Sequence, residues 1–111
     1  MKFDVKEVYN AKVVSVKGKL MGGPEAEEFQ GILQDSISNN VKNIIIDLSD
    51  VKFVNSSGIG ILVRGFTTMK NASGDMKLAG ISDKVSGVLS ITKLDGIFEQ
   101  YPSVDEAAKS F

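Results

Sequence analysis

Ile44-Ile45-Ile46-Asp47-Leu48-Ser49-Asp50-Val51-Lys52-Phe53-Val54-Asn55-Ser56-Ser57-Gly58-Ile59-Gly60 is the stretch on which the fold turns. Three consecutive β-branched residues do not alternate with polar ones, and a strand apolar on both sides is covered on both faces. The isoleucine run therefore marks the centre of a sheet. Val51, Phe53 and Val54 follow as an apolar loop, and a helix opens at Ser56 or Ser57. Ile59, Leu62, Val63, Phe66 and Met69 then recur at helical spacing until Asn71 to Gly74 breaks the pattern.

Towards the N-terminus, Phe3 with Val5 and Val13, Val14 with Val16 form short β-branched runs separated by Tyr9-Asn10-Ala11. Together they predict a two-stranded hairpin whose second strand stops at Gly18. Pro24 follows Gly22-Gly23, and Glu25, Glu27 and Glu28 stand in the next turn. Proline's fixed φ and the positive helix end favour a helix start there. Ala26, Phe29, Ile32, Leu33 and Ile37 share one helix face, and Asn39-Asn40 supplies the stop.

Towards the C-terminus, Met76, Leu78 and Ile81 read as a strand, with a helix from Ser82 or Asp83 carrying Val85, Val88 and Leu89. Asp95-Gly96 closes that unit, and Ile97-Phe98 reads as a short last strand. Ser103 with Glu106 three residues on is a capping-box signature for a terminal helix burying Val104, Ala107 and Phe111. Strands alternating with helices call for an α/β fold with a mostly parallel sheet.

A chain of 111 residues can bury one core and is short for two, so a single domain over residues 1–111 is expected. Thirteen basic and fourteen acidic side chains nearly cancel and are scattered, which disfavours nucleic acid as a partner. The absence of cysteine and histidine removes disulfides, the usual zinc ligand sets and the common neutral-pH base. This weighs against an enzyme and against a cofactor or metal. No segment is apolar enough for a membrane span, so a cytoplasmic protein is expected.

Asn55-Ser56-Ser57-Gly58 lies at a helix start, where hydroxyls and amides meet the positive helix end. The bland reading makes one serine an N-cap and the glycines aids to packing. Three sharper chemical readings fare worse. A dinucleotide loop built on Gly58 and Gly60 lacks its third glycine and an acid after the next strand, where Lys77-Leu78-Ala79-Gly80 stands. Asp47 and Asp50 suggest magnesium, but no acidic cluster on the first strands joins them. A nucleophilic Ser56 or Ser57 has no histidine for a base.

Across essentially the whole chain, the sequence resembles the STAS domain family of sulfate transporters and bacterial anti-sigma factor antagonists. The likeness rests on Ile44-Ile45-Ile46-Asp47-Leu48 leading through Val51 and Phe53 into Asn55-Ser56-Ser57-Gly58-Ile59-Gly60. Gly74-Asp75-Met76 and Leu94-Asp95-Gly96-Ile97-Phe98 also resemble the family pattern. The resemblance implies a mixed, mostly parallel five-stranded sheet with an antiparallel first strand and about four helices. For a stand-alone antagonist it implies a phosphoacceptor at Ser56, a partner that is both anti-sigma factor and serine kinase, and a phosphatase of the protein phosphatase 2C type. The partner-binding surface it implies comprises Met21, Gly22, Gly23, Asn55, Ser56, Ser57, Gly58 and Ile59. Such a protein regulates transcription as a kinase's substrate, releasing a sigma factor while unmodified.

Two departures from the pattern stand out. Asn55 occupies a position where the family usually has Asp, keeping an acceptor oxygen and removing a charge. Gly18-Lys19-Leu20-Met21 resembles the family's Gly-Glu-Leu-Asp turn with both acids gone. An alternative within the family is a scaffold subunit of a transporter ATPase or signalling assembly that is not phosphorylated.

Overall fold

The computed structural model describes residues 2–8, 11–91 and 96–111. Its elements run β1 (Lys2–Val8), β2 (Ala11–Leu20), α1 (Glu25–Ser38), β3 (Asn43–Val54), α2 (Ser56–Asn71), β4 (Asp75–Ala79), α3 (Asp83–Ile91), β5 (Gln100–Tyr101) and α4 (Val104–Lys109). The sheet is five-stranded in the order β1-β2-β3-β4-β5. β1 pairs antiparallel with β2, and every later pairing is parallel.

The isoleucine run does lie at the centre. Ile44 and Ile46 enter the larger core with Phe29 and Leu33 of α1, Leu62 and Met69 of α2, and Val85 and Leu89 of α3. Ile45 points to the other face, where Ala11, Val13, Ala79 and Ala107 of α4 surround it. All three isoleucines are fully buried, as expected of a strand covered on both sides.

Two helices end alike. Asn40 takes φ +61°, with the Asn40 amide on the Ile37 carbonyl and the Val41 amide on that of Ser36. Ser73 takes φ +62°, with the Ser73 amide on the Lys70 carbonyl and the Gly74 amide on that of Met69. Both are Schellman ends that satisfy otherwise orphaned carbonyls. At the opposite pole, the Ser103 hydroxyl accepts from the Glu106 amide at 3.2 Å and caps α4 as its sequence signature predicts.

The strand boundaries differ from expectation in four places. β2 does not stop at Gly18 but reaches Leu20, because β3 also runs on past Leu48 to Val54 and gives it a partner. Register shifts between Ser15 and Lys17 and between Gly18 and Lys19 absorb extra β3 residues, and Gly18 meets its turn there with φ +89°. Val51, Phe53 and Val54 are thus strand residues and not a loop. The last strand is Gln100–Tyr101, not Ile97-Phe98. Phe98 instead plugs the larger core, edge-on to the Phe66 ring at 5.3 Å between centroids, while Ile97 is exposed. Ile81 lies beyond β4. Tyr9 and Asn10 of the expected hairpin connection, and Asp95 of the Asp95-Gly96 pair expected to close the third helical unit, fall outside the described residues.

Candidate functional site

Parallel strands β2 and β3 end side by side, so the loop after β2 and the helix start after β3 share one corner of the molecule. Leu20 pairs with Val54, and the Asn55 amide donates to the Leu20 carbonyl at 3.3 Å. The same carbonyl fixes residue 58. A Cβ built on Gly58 lies 1.8 Å from the Leu20 oxygen and 2.4 Å from its carbon, so only glycine allows α2 to approach β2 this closely. Gly60 is different, with nothing within 4 Å of where its Cβ would stand.

The N-cap of α2 is Asn55 and neither serine. Its backbone is extended, at φ −129° and ψ 177°, and its side-chain oxygen accepts from the Gly58 amide at 2.8 Å. With that acceptor supplied, Ser56 begins the helix exposed, and no described hydrogen bond engages its hydroxyl. No acidic residue sits in the first turn of α2. An anion on Ser56 would therefore meet free amides and the positive helix end without a carboxylate in that turn to repel it.

Across the corner, a Cβ on Gly22 would stand 3.0 Å from the Ser57 Cβ, so the loop after β2 packs its backbone against the second serine. The structure thereby brings Gly22, Asn55, Ser56 and Ser57 together, with Met21 and Gly23 exposed beside them in the loop. Two of the expected partner-facing residues do not face outward. Ile59 is fully buried in the larger core, where its helical spacing with Leu62 puts it, and Gly58 is buried under the Leu20 carbonyl. Their contribution is to hold the helix start in place.

One surface residue escaped the sequence reading. Phe53 is 47% exposed although Val51 and Val54 on either side are buried. The bulged register of β3 breaks the period of two, and Phe53 leaves the core as a result. Together with Met21, at 37% exposure, it adds apolar surface to the strand ends that lead into the site.

Asp47, weighed as a metal ligand from sequence, is engaged locally. One carboxylate oxygen accepts from the Ser49 amide at 3.1 Å and hydroxyl at 2.7 Å, and the other from the Ser15 hydroxyl at 3.3 Å. Among the described residues, no three acidic, cysteine or histidine side chains gather to hold a metal. Nor is any described helix long and apolar enough to cross a membrane.

Antiparallel first strand, central parallel strands and a serine pair opening the helix after β3 together describe one family's arrangement. The STAS domain pattern matches residues 2–107. The chain belongs to the STAS domain family. Over 76 residues this STAS domain is 29% identical to a Thermotoga maritima protein assigned as an anti-sigma factor antagonist, covering 68% of this chain and 67% of that one. It is 33% identical over 54 residues to the anti-sigma-B factor antagonist of Listeria monocytogenes, covering 49% of this chain and 47% of that protein. The unphosphorylated anti-sigma factor antagonist SpoIIAA superposes on it with a TM-score of 0.81 at 22% identity, over 98% of this chain and 95% of that one. At that identity the superposition speaks for the fold alone.

Proposed function

We propose that this STAS domain is an anti-sigma factor antagonist whose binding is switched by phosphorylation of Ser56. Unmodified, it binds an anti-sigma factor that is also a serine kinase and frees the sigma factor. Phosphorylation ends the complex, and a phosphatase of the protein phosphatase 2C type resets it. The domain is the substrate of these enzymes and not a catalyst. The observation that carries the reading is the exposed Ser56 at the first position of α2, its helix capped by the neighbouring Asn55. The Listeria relative, named an anti-sigma-B factor antagonist, supports the choice of partner class.

The switch follows from where charge is tolerated. A phosphoserine adds nearly two negative charges and three acceptor oxygens, which amides and dipole at a helix N-terminus receive. In the free domain those oxygens also remain in water. Buried against a partner surface shaped for a hydroxyl, the dianion loses that water, and every ~1.4 kcal/mol of penalty weakens affinity about tenfold. Met21, Gly22, Gly23, Asn55 and Ser57 form the surface around the acceptor.

Incubation with the candidate kinase and ATP, followed by mass spectrometry, should locate phosphate on Ser56. In calorimetry, Ser56→Asp is expected to lose about tenfold or more in partner affinity with its melting temperature nearly unchanged. Ser56→Ala should bind whether or not the kinase has ATP. Equal affinity for wild type and Ser56→Asp refutes the switch, and binding that persists with no phosphate found points to the unphosphorylated scaffold subunit.

A further inference from the structure

The two edges of the sheet are guarded differently. β5 exposes an edge of only two residues, Gln100 and Tyr101. β1 offers seven, from Lys2 to Val8, in unbroken register with β2, with no proline and no bulge among its pairs. Its outer row of N–H and C=O groups is a ready template for another strand. Val5 at its midpoint is 42% exposed, whereas the Val14 it pairs with is fully buried.

We infer that the outer edge of β1 is a self-association surface, on which two copies of this chain pair antiparallel about Val5 and join their sheets. The order of charges selects the occupant and the register. Residues directly opposite in an antiparallel pair share a face, so the two-fold axis passes through a residue position. Centred on Val5, all of Lys2–Val8 overlaps, Val5 meets Val5, and Asp4 of each copy meets Lys6 of the other. Centred on Asp4, the register sets Asp4 on Asp4 and Lys2 on Lys6; centred on Lys6 it sets Lys6 on itself. A centre at Phe3 leaves only Lys2–Asp4 overlapped among the described residues.

Like charges directly opposite destabilise a pair and unlike charges stabilise it. The charges that deter indiscriminate addition to this edge therefore permit one long register, and the strand that satisfies it is β1 itself. An unrelated strand would have to reproduce that order of signs. Since α1, α2 and α3 all pack on one face, the joined sheets keep both helical layers on the same side. A contact of seven residues a side is smaller than a standard interface, so the dimer is weak and exchanges readily.

Sedimentation equilibrium over a series reaching about 1 mM reads the dissociation constant directly. The test rests on charge reversal in the intact chain. Asp4→Lys sets lysine against Lys6, and Lys6→Asp sets aspartate against Asp4, so each variant alone should self-associate about tenfold or more weakly than wild type. Mixed in equal amounts, the two variants present only unlike pairs and should associate at least as well as wild type. Both positions are exposed, and circular dichroism checks that each variant keeps the fold. A wild type that stays monomeric throughout the series overturns the inference. So do single variants that associate like wild type, or a mixture that stays monomeric.

Discussion

Adding one methyl group at residue 58 and at residue 60 should move stability in opposite directions, although both are glycines in the first turns of α2. At Gly58 the new Cβ would lie 1.8 Å from the Leu20 oxygen, where ordinary contact begins near 3.4 Å. The obstacle is backbone, which cannot swing aside as a side chain can. Either α2 slides outward by more than 1 Å or the end of β2 yields, and the Asn55 to Leu20 hydrogen bond at 3.3 Å is stretched in both cases. Overpacking of this kind costs about 1–3 kcal/mol or more, and a weakened hydrogen bond adds about 1 kcal/mol. Alanine's helix propensity returns up to about 1 kcal/mol. Gly58→Ala should therefore lose about 2–3 kcal/mol, a fall of roughly 10 °C in melting temperature for a chain of this size.

Gly60→Ala meets nothing within 4 Å and sits exposed in a helix, so only the propensity gain remains. It should stabilise by about 0.5–1 kcal/mol, or a few degrees. Urea denaturation with unchanged slope reads both changes as stability. A neutral Gly58→Ala would show that the close approach of Gly58 to Leu20 does not set the seat of α2, and a Gly60→Ala that destabilises would show that residue 60 is not an open helix position.

The cap gives a second expectation. Asn55→Ala should lose about 1 kcal/mol by stripping the acceptor from the Gly58 amide, whereas Asn55→Asp keeps that acceptor and gains about 0.3–1 kcal/mol at the positive helix end, both read by urea denaturation. A third concerns Lys77, only 4% exposed, whose ammonium donates to the Ser110 carbonyl at 3.1 Å and hydroxyl at 2.7 Å and stands 4.2 Å from the Phe111 ring centroid. Lys77→Met should cost about 1–2 kcal/mol and speed hydrogen exchange in α4 ahead of the rest, because this lysine ties the last turn to the sheet.

Elements with a strong local signal were legible. Ile44 to Ile46 announced the central strand because burial on both faces needs three apolar residues in succession, and Ser103 with Glu106 announced α4 because the cap is a local bond. What depended on a distant partner was not legible. β2 passes Gly18 only because β3 lies alongside, and Phe53 is turned out only because β3 carries the extra residues. Ile97-Phe98 looked like a strand since a core plug and a strand share the same apolar signal, and the Phe66 contact that tells them apart is tertiary. At the site, Ser56 at a helix start could be read locally. That Asn55 would cap and that Gly22 would lie against Ser57 required the packed corner, whereas the burial of Ile59 was already written in its helical spacing with Leu62.

The division of labour in that corner decides whether a charge switch is compatible with the fold. Had the first serine supplied the cap, its hydroxyl oxygen would hold the Gly58 amide, and modification would disturb the bond that starts the helix. Here Asn55 holds that amide at 2.8 Å, and Leu20 with Gly58 fixes the helix against β2 through backbone contacts that no side-chain modification touches. A phosphate on Ser56 would thus remove no bond present in the free domain and add acceptors where amides are available. On the proposed function, its free-energy consequence falls almost wholly on the complex. Folding stability and partner affinity are consequently separable at this residue, which is why a loss of binding without a loss of melting temperature is the signature the structure leads one to expect.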